Sequence, residues 1–178
     1  MPLHFQNLDD ATRRMMLAEF DRDEGSETPG EVYLSPRLSP VGRDAYLRMM
    51  RNAILTGTDG SLYEALAEPG MLNATESVTR KGKRVTKRVP VNAAQTMAEG
   101  EFNRYYIRGL CLRALADGFA VVEVYRARES SRARPASAAL IGSEIDAQAL
   151  LQDLRSHIGM APELLPEVNS GLTVRMIG

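Results

Sequence analysis

The chain has 178 residues, of which 44% are hydrophobic and 25% charged, a composition typical of a globular protein and a length typical of one domain. Its single cysteine, Cys111, excludes an intramolecular disulfide and a zinc site built from several cysteines. The net charge of -1 hides a strong segregation, because residues 76–135 carry thirteen basic and six acidic side chains while both flanking regions are acidic. Such segregation is typical of proteins that bind nucleic acid, an acidic partner or an identical neighbour.

The N-terminal part of the chain is predicted to be helical. Apolar residues at helical spacing predict a first helix over residues 7–20, and the acidic, turn-rich residues 21–30 predict a loop after it. The second helix has the clearest boundaries, with Ser39 as its cap, Pro40 at its first position and Gly57 as a left-handed exit.

A third, shorter helix is predicted over residues 61–67, with Ser61 as its cap, and a β-hairpin over residues 75–89 with Lys81-Gly82-Lys83 at its tip. Six basic residues fill most of this hairpin: Arg80, Lys81, Lys83, Arg84, Lys87 and Arg88. Such a ribbon can lie along a phosphate backbone or in a major groove, or it can hold an acidic neighbouring subunit. A hairpin that is merely solvated is the third possibility.

The longest helix is predicted over residues 92–117, with Asn92 as its cap and Gly118 as its exit. Its broad apolar face predicts a central position in the core. Gly100 and Gly109 lie inside this helix, where glycine costs about 1 kcal/mol relative to alanine, so they indicate close packing or a break near Gly100.

The C-terminal part alternates between strand and helix. Residues 119–124 predict a strand buried on both faces, residues 129–135 a basic loop, residues 146–158 a helix and residues 172–176 a last short strand. The chain is therefore predicted to be a single α+β domain over residues 1–178. In this domain N-terminal helices and a protruding basic hairpin precede a long central helix packed on a small sheet, with a helix and a short strand at the C-terminus.

A second group of basic residues could form an arginine-rich anion site. Arg104 and Arg108 are four residues apart and share one face of the long helix. The other members follow in the strand and loop beyond it: Arg126, Arg128, Arg132 and Arg134. The favoured interpretation is a structural one, in which Glu101 pairs with Arg104 along the helix and the neighbouring tyrosines pack in the core.

The sequence offers little support for an enzyme. Glu99 or Glu101 on a helix, followed by Glu123 and Arg126 on a strand, bears only a faint likeness to the acidic sites of metal-dependent nucleases. The two histidines are far apart in sequence, and there is no phosphate loop, dinucleotide fingerprint or nucleophile elbow. We therefore expect no metal, no cofactor and no catalytic residues.

The favoured function is that of a non-enzymatic assembly protein, which packs with copies of itself or with other subunits, as in a phage or prophage virion that borders nucleic acid. The first alternative is a stand-alone protein that binds DNA or RNA through the hairpin, and the second is a metal-dependent nuclease. No signal-like segment or membrane-spanning apolar stretch is visible. The expected location is the cytoplasm, or a virion assembled after cytoplasmic synthesis.

Overall fold

A computed structural model describes residues 2–27, 32–128, 135–166 and 170–177. These residues form the predicted α+β fold, with N-terminal helices, a hairpin, a long central helix on a small sheet, and a C-terminal helix and strand. The elements in chain order are α1 (Asp10–Glu24), α2 (Pro40–Thr56), α3 (Asp59–Ala67), β1 (Thr75–Arg80), β2 (Lys83–Arg88), α4 (Ala93–Ala116), β3 (Val121–Arg126), α5 (Pro135–Ala139), β4 (Glu144–Asp146), α6 (Ala147–Ser156) and β5 (Leu172–Arg175). No helix in these ranges is long and apolar enough to cross a membrane.

Helix α4 lies at the centre of the hydrophobic core, where α1, α3 and α6 pack against it. Its buried residues are distributed around the helix instead of forming a single face, and they include Phe102, Tyr106 and Leu110, none of which reaches solvent. Tyr105 is also buried, so the predicted packing of the tyrosines in the core is confirmed. Because neighbours cover α4 on several sides, this helix determines where most of the other elements lie.

Gly109 allows α4 and α1 to approach each other closely. A Cβ atom at this position would lie only 2.6 Å from the backbone nitrogen of Met16, a distance at which the two helices would have to move apart. The predicted close packing is therefore confirmed at Gly109. The predicted break near Gly100 is absent, since α4 continues through this residue as a regular helix.

Strands β3, β4 and β5 form an antiparallel sheet with β3 in the middle. Val122 and Val124 are completely buried, whereas Glu123 lies between them on the other face and accepts a 2.5 Å hydrogen bond from Arg175 of β5. The expectation that β3 is buried on both faces is confirmed only at Tyr125, because Val121 and Glu123 on the same face remain partly exposed. The sequence did not predict β4, which at three residues is too short to show a period.

Helix α1 begins and ends later than predicted. Asp9 caps it through its side chain, and the helix continues to Glu24, so the predicted loop is wrong over residues 21–24. The added turn is held by tertiary contacts that the local sequence does not reveal. Phe20 is fully buried, and Asp23 forms an ion pair with Arg108 of α4.

The boundary between α2 and α3 is only partly as predicted. Ser39 caps α2 and Pro40 occupies its first position, as expected. Thr58, and not Ser61, caps α3, and the two side chains form a reciprocal capping box. Gly57 has a φ of -106°, so the predicted left-handed exit is wrong. The residue must be small for another reason, because a Cβ atom there would lie 2.1 Å from the Ser61 hydroxyl oxygen.

Candidate functional site

Strands β1 and β2 form the antiparallel hairpin that carries the predicted basic residues. Their pairing ends with Arg80 opposite Lys83, and Lys81 and Gly82 make the turn between them. Both turn residues have positive φ angles, 48° and 75°, as the type I′ turn of a two-residue hairpin requires. The predicted hairpin is confirmed, and its tip is a tight turn that matches the natural twist of the two strands.

The hairpin is almost entirely exposed to solvent. All residues of β2 are exposed, and in β1 only Glu76 and Val78 are partly covered. Since side chains alternate along a strand, each face of the ribbon carries three cross-strand pairs. One face carries Glu76–Lys87, Val78–Val85 and Arg80–Lys83, and the other carries Thr75–Arg88, Ser77–Thr86 and Thr79–Arg84. Both faces therefore present basic side chains to solvent.

Glu76 fixes the root of the hairpin to the body of the protein. Its carboxylate accepts a 2.6 Å hydrogen bond from Nε of Arg37 and lies 3.0 Å from Nζ of Lys87. The hydrogen bonds from Arg37 and Lys87 hold the pKa of Glu76 below its ordinary value. The loop that carries Arg37 is itself connected to the segment before β1, because the backbone N–H of Asn73 donates to the Arg37 carbonyl at 2.9 Å.

Five of the six predicted basic residues remain available to a partner. Lys87 pairs with Glu76, whereas the others form no ion pair with any carboxylate in the described part of the chain: Arg80, Lys81, Lys83, Arg84 and Arg88. Residues directly opposite each other in an antiparallel ribbon have Cβ atoms about 5 Å apart. Arg80 and Lys83 therefore lie side by side on one face, and Arg84 and Arg88 share the other.

Arg108, by contrast, is part of the protein interior. It makes paired hydrogen bonds of 2.6 and 2.9 Å to Asp23 of α1 and contacts Glu19, which also pairs with Arg155 of α6. The hydroxyl of Tyr105 donates to Asp23 as well. Burial alone would lower the pKa of Arg108, but the hydrogen bonds and charges of the two acids raise it. This network joins three helices and leaves no surface for an external anion.

The other residues of the predicted arginine site are not brought together either. Arg104 is buried and donates to the carbonyls of Leu154 and Met160 at 3.1 and 2.8 Å. Arg128 pairs with Glu99, and Arg126 has a buried Nη2 atom without a hydrogen-bond partner in the described residues. The remaining two, Arg132 and Arg134, lie outside the described residues. The predicted pairing of Glu101 with Arg104 is present but long, at 3.7 Å.

The carboxylates considered for a nuclease do not converge. Glu99 pairs with Arg128 and accepts a hydrogen bond from Gln95, while Glu123 lies on the outer face of β3 next to Arg175. Across the ranges that the structure describes, no three acidic, histidine or cysteine residues are placed to hold a metal ion. Burial raises the pKa of the Cys111 thiol, which disfavours the reactive thiolate form.

A cleft beside the hairpin root was not predicted from the sequence. Glu76, Arg37 and the α4 residue Glu101 line a cavity with a volume of about 490 Å³, and Tyr33 and Met160 from two loops complete it. The sequence signal for this site was weak, because Glu101 resembles an ordinary helix-surface partner of Arg104 until the surrounding chain buries it.

No family model, no curated protein and no solved structure matches this chain significantly. The chemistry of the hairpin and of the cleft is therefore the basis for a functional assignment.

Proposed function

We propose that the protein binds nucleic acid through the β1–β2 hairpin, acting without catalysis in the cytoplasm. The observation that carries this proposal is the set of five basic side chains on an exposed ribbon whose root is fixed by Glu76. A hydrogen-bonded hairpin meets a phosphate backbone at a lower cost in conformational entropy than an unpaired segment of the same composition.

The composition of the hairpin favours contacts with phosphate groups over contacts with bases. No aromatic residue lies on either strand, so the ribbon offers no platform on which bases could stack. Arginine and lysine on both faces, together with threonine and serine hydroxyls, are the usual donors to phosphate oxygens. The proposed binding is therefore sequence-tolerant and driven by the release of counterions.

Fluorescence anisotropy with a labelled mixed-sequence duplex tests this proposal. If all five cations contact phosphates, the logarithm of the affinity falls with the logarithm of salt concentration with a slope of about -4.5. The triple variant Arg80→Gln, Lys83→Gln and Arg84→Gln should reduce the magnitude of this slope by about 3 and weaken binding strongly at low salt.

A matched control removes three positive charges from the surface of the helices instead. Arg14, Arg43 and Arg48 are exposed on α1 and α2 and form no ion pair within the described residues. Their simultaneous substitution by glutamine changes the net charge equally but should leave the salt slope unchanged. Equal losses of affinity in the two triple variants would contradict a specific role for the hairpin.

The second candidate function is that of an assembly subunit, in a homo-oligomer or a larger particle such as a phage virion. The observation that favours it is that β1 and β2 form a two-stranded sheet, so each strand has an outer edge unpaired within the described residues. Such edges can add a strand from another subunit, and the basic side chains then suit an acidic neighbour. This candidate predicts a stable oligomer that dissociates when Thr86, whose N–H lies on the outer edge of β2, is replaced by proline.

A further inference from the structure

The cleft at the hairpin root lies between α4, the loop before α2 and the segment after α6. Its walls combine charged groups with apolar ones. The main lining residues are Tyr33, Arg37, Met97, Glu101, Arg104 and Met160. The ring of Tyr33 packs directly on the backbone of Gly159, where a Cβ atom would lie 2.4 Å from it. The cleft therefore has an aromatic wall.

Two polar groups in this cleft lack a full set of partners among the described residues, the carboxylate of Glu101 and the buried Nε of Arg104. Only 9% of the surface of Glu101 is exposed, and its carboxylate accepts no hydrogen bond from the described residues. The nearest cation is Nε of Arg104 at 3.7 Å, which is too long for a hydrogen bond. The terminal nitrogens of Arg104 are occupied by the carbonyls of Leu154 and Met160.

The other cation of the cleft is also occupied. Arg37 donates through Nε to Glu76 at 2.6 Å, and Glu76 divides its single negative charge between Arg37 and Lys87. An anionic ligand would find Glu76 and Glu101 next to both arginines. A ligand that donates hydrogen bonds would instead supply what Glu101 lacks.

Burial without hydrogen bonds is unfavourable for a carboxylate, and it raises the pKa of Glu101 to about 7 in spite of the nearby charges of Arg104 and Arg108. Buried carboxyl groups of this kind, when they line a cleft, are frequent at binding sites. The geometry, and not the pKa alone, indicates a ligand, because the carboxylate lines a cavity that is large enough to hold one.

We propose that this cleft binds a small molecule whose planar group presents two adjacent N–H donors to Glu101, as a guanidino group or the Watson–Crick edge of guanine does. A carboxylate accepts two parallel hydrogen bonds from such a group, which is the strongest and most directional arrangement available to it. Tyr33, Met97 and Met160 provide apolar surface for the planar body of the ligand. This inference does not depend on the hairpin binding nucleic acid.

Methyl NMR of methionine-labelled protein tests the proposal with methylguanidinium and guanosine as the two probes. Met97 and Met160 line the cleft, and the remaining methionines of the nine in the chain serve as internal references. We expect one of the probes at millimolar concentration to shift the Met97 and Met160 signals selectively, and the probe that does so identifies the source of the donor pair.

Two comparisons make the test specific for Glu101. Glu101→Gln removes the charge at nearly constant shape and should weaken binding at least about tenfold, whereas the exposed control Glu64→Gln should not. If Glu101→Gln fails to fold, the wild-type protein is titrated with analogues that lack the pair of adjacent N–H donors. Inosine, without the exocyclic amino group, replaces guanosine, and ethylammonium replaces methylguanidinium. The proposal is overturned if neither probe shifts the two signals, if Glu101→Gln binds equally well, or if these analogues bind as tightly.

Discussion

At the scale of single residues, two buried carboxyl groups differ in the hydrogen bonds that they accept, and this difference determines whether each one stabilises the fold. Asp23 is 3% exposed and accepts hydrogen bonds from Arg108 and from the Tyr105 hydroxyl. Glu101 is 9% exposed and accepts none in the described part of the chain. The first group stabilises the junction of α1 and α4, and the second destabilises the fold and remains available for a ligand.

Replacing Arg108 with methionine should destabilise the protein by about 3–5 kcal/mol, because it leaves Asp23 buried without its main counter-charge and Glu19 with Arg155 alone. Chemical denaturation measures this difference in unfolding free energy. Arg48→Met on the exposed side of α2 is the control and should change stability by about 0.5 kcal/mol or less. Similar stabilities of the two variants would show that the buried network is dispensable.

The stability of the protein should also depend on pH through Glu101. Its pKa in the folded state is raised from 4.5 to about 7 by burial, which outweighs the charges of Arg104 and Arg108. At low pH the group is protonated in both states and has no effect. Between these two pKa values the unfolded chain loses the proton while the folded protein keeps it, so the unfolding free energy falls, by up to about 3 kcal/mol above the higher pKa.

Glu101→Gln removes this group from the titration. We expect the variant to gain stability relative to the wild type as the pH rises from about 4 to about 8, since only the wild type loses stability through Glu101. Denaturation curves of both proteins across this range give the difference directly. A difference that stays constant with pH would mean that Glu101 is not buried as described.

Residue-level prediction from sequence failed where partners are distant along the chain. Arg104 and Arg108 have the spacing of a basic helix face, but their partners come from α1 and from the carbonyl oxygens of Leu154 and Met160. Helical periodicity shows which residues share a face and does not show what covers that face. The same limitation concealed Glu101 as the main polar group of a cleft.

At the scale of elements, the local sequence predicts the ends of helix α4 and of the hairpin to within one or two residues. Asn92 and Gly118 mark the ends of α4 as predicted, although the Asn92 side chain makes no capping hydrogen bond. Lys81-Gly82 forms the predicted tip, where Gly82 suits the positive φ and Lys81 adopts one despite its side chain. The errors concern elements whose ends depend on tertiary contacts, such as the last turn of α1, or which are very short, such as β4. The sequence did not decide whether the glycines inside α4 mark close packing or a break, and only the structure shows which applies at Gly100 and at Gly109.

The contact at Gly109 leads to a test of how the elements pack. Gly109→Ala introduces a Cβ atom 2.6 Å from the backbone of Met16 and should push α1 away from α4, at a cost of about 1–3 kcal/mol. Intrinsic helix propensity alone would make the same variant more stable by up to about 1 kcal/mol. Thermal denaturation therefore distinguishes the two effects by sign, and a raised melting temperature would contradict the close packing.

At the scale of the whole molecule, the segregation of charge along the chain has two different outcomes in space. Part of the basic middle region, Arg104 and Arg108, lies in the interior, while five basic residues of the hairpin face solvent. The sequence therefore indicated a cationic surface correctly at the hairpin but overstated its extent. A partner that is attracted by charge would meet the ribbon first, because electrostatic attraction acts over roughly 10 Å at moderate ionic strength.

Light scattering coupled to size-exclusion chromatography, with and without a mixed-sequence duplex at low and at moderate salt, tests the central claim most directly. The proposed function predicts a protein that shifts onto the duplex at low salt and is released at moderate salt, and the hairpin triple variant should shift much less at low salt. A salt-insensitive oligomer that ignores the duplex would contradict it and would favour the hairpin as an arm between subunits.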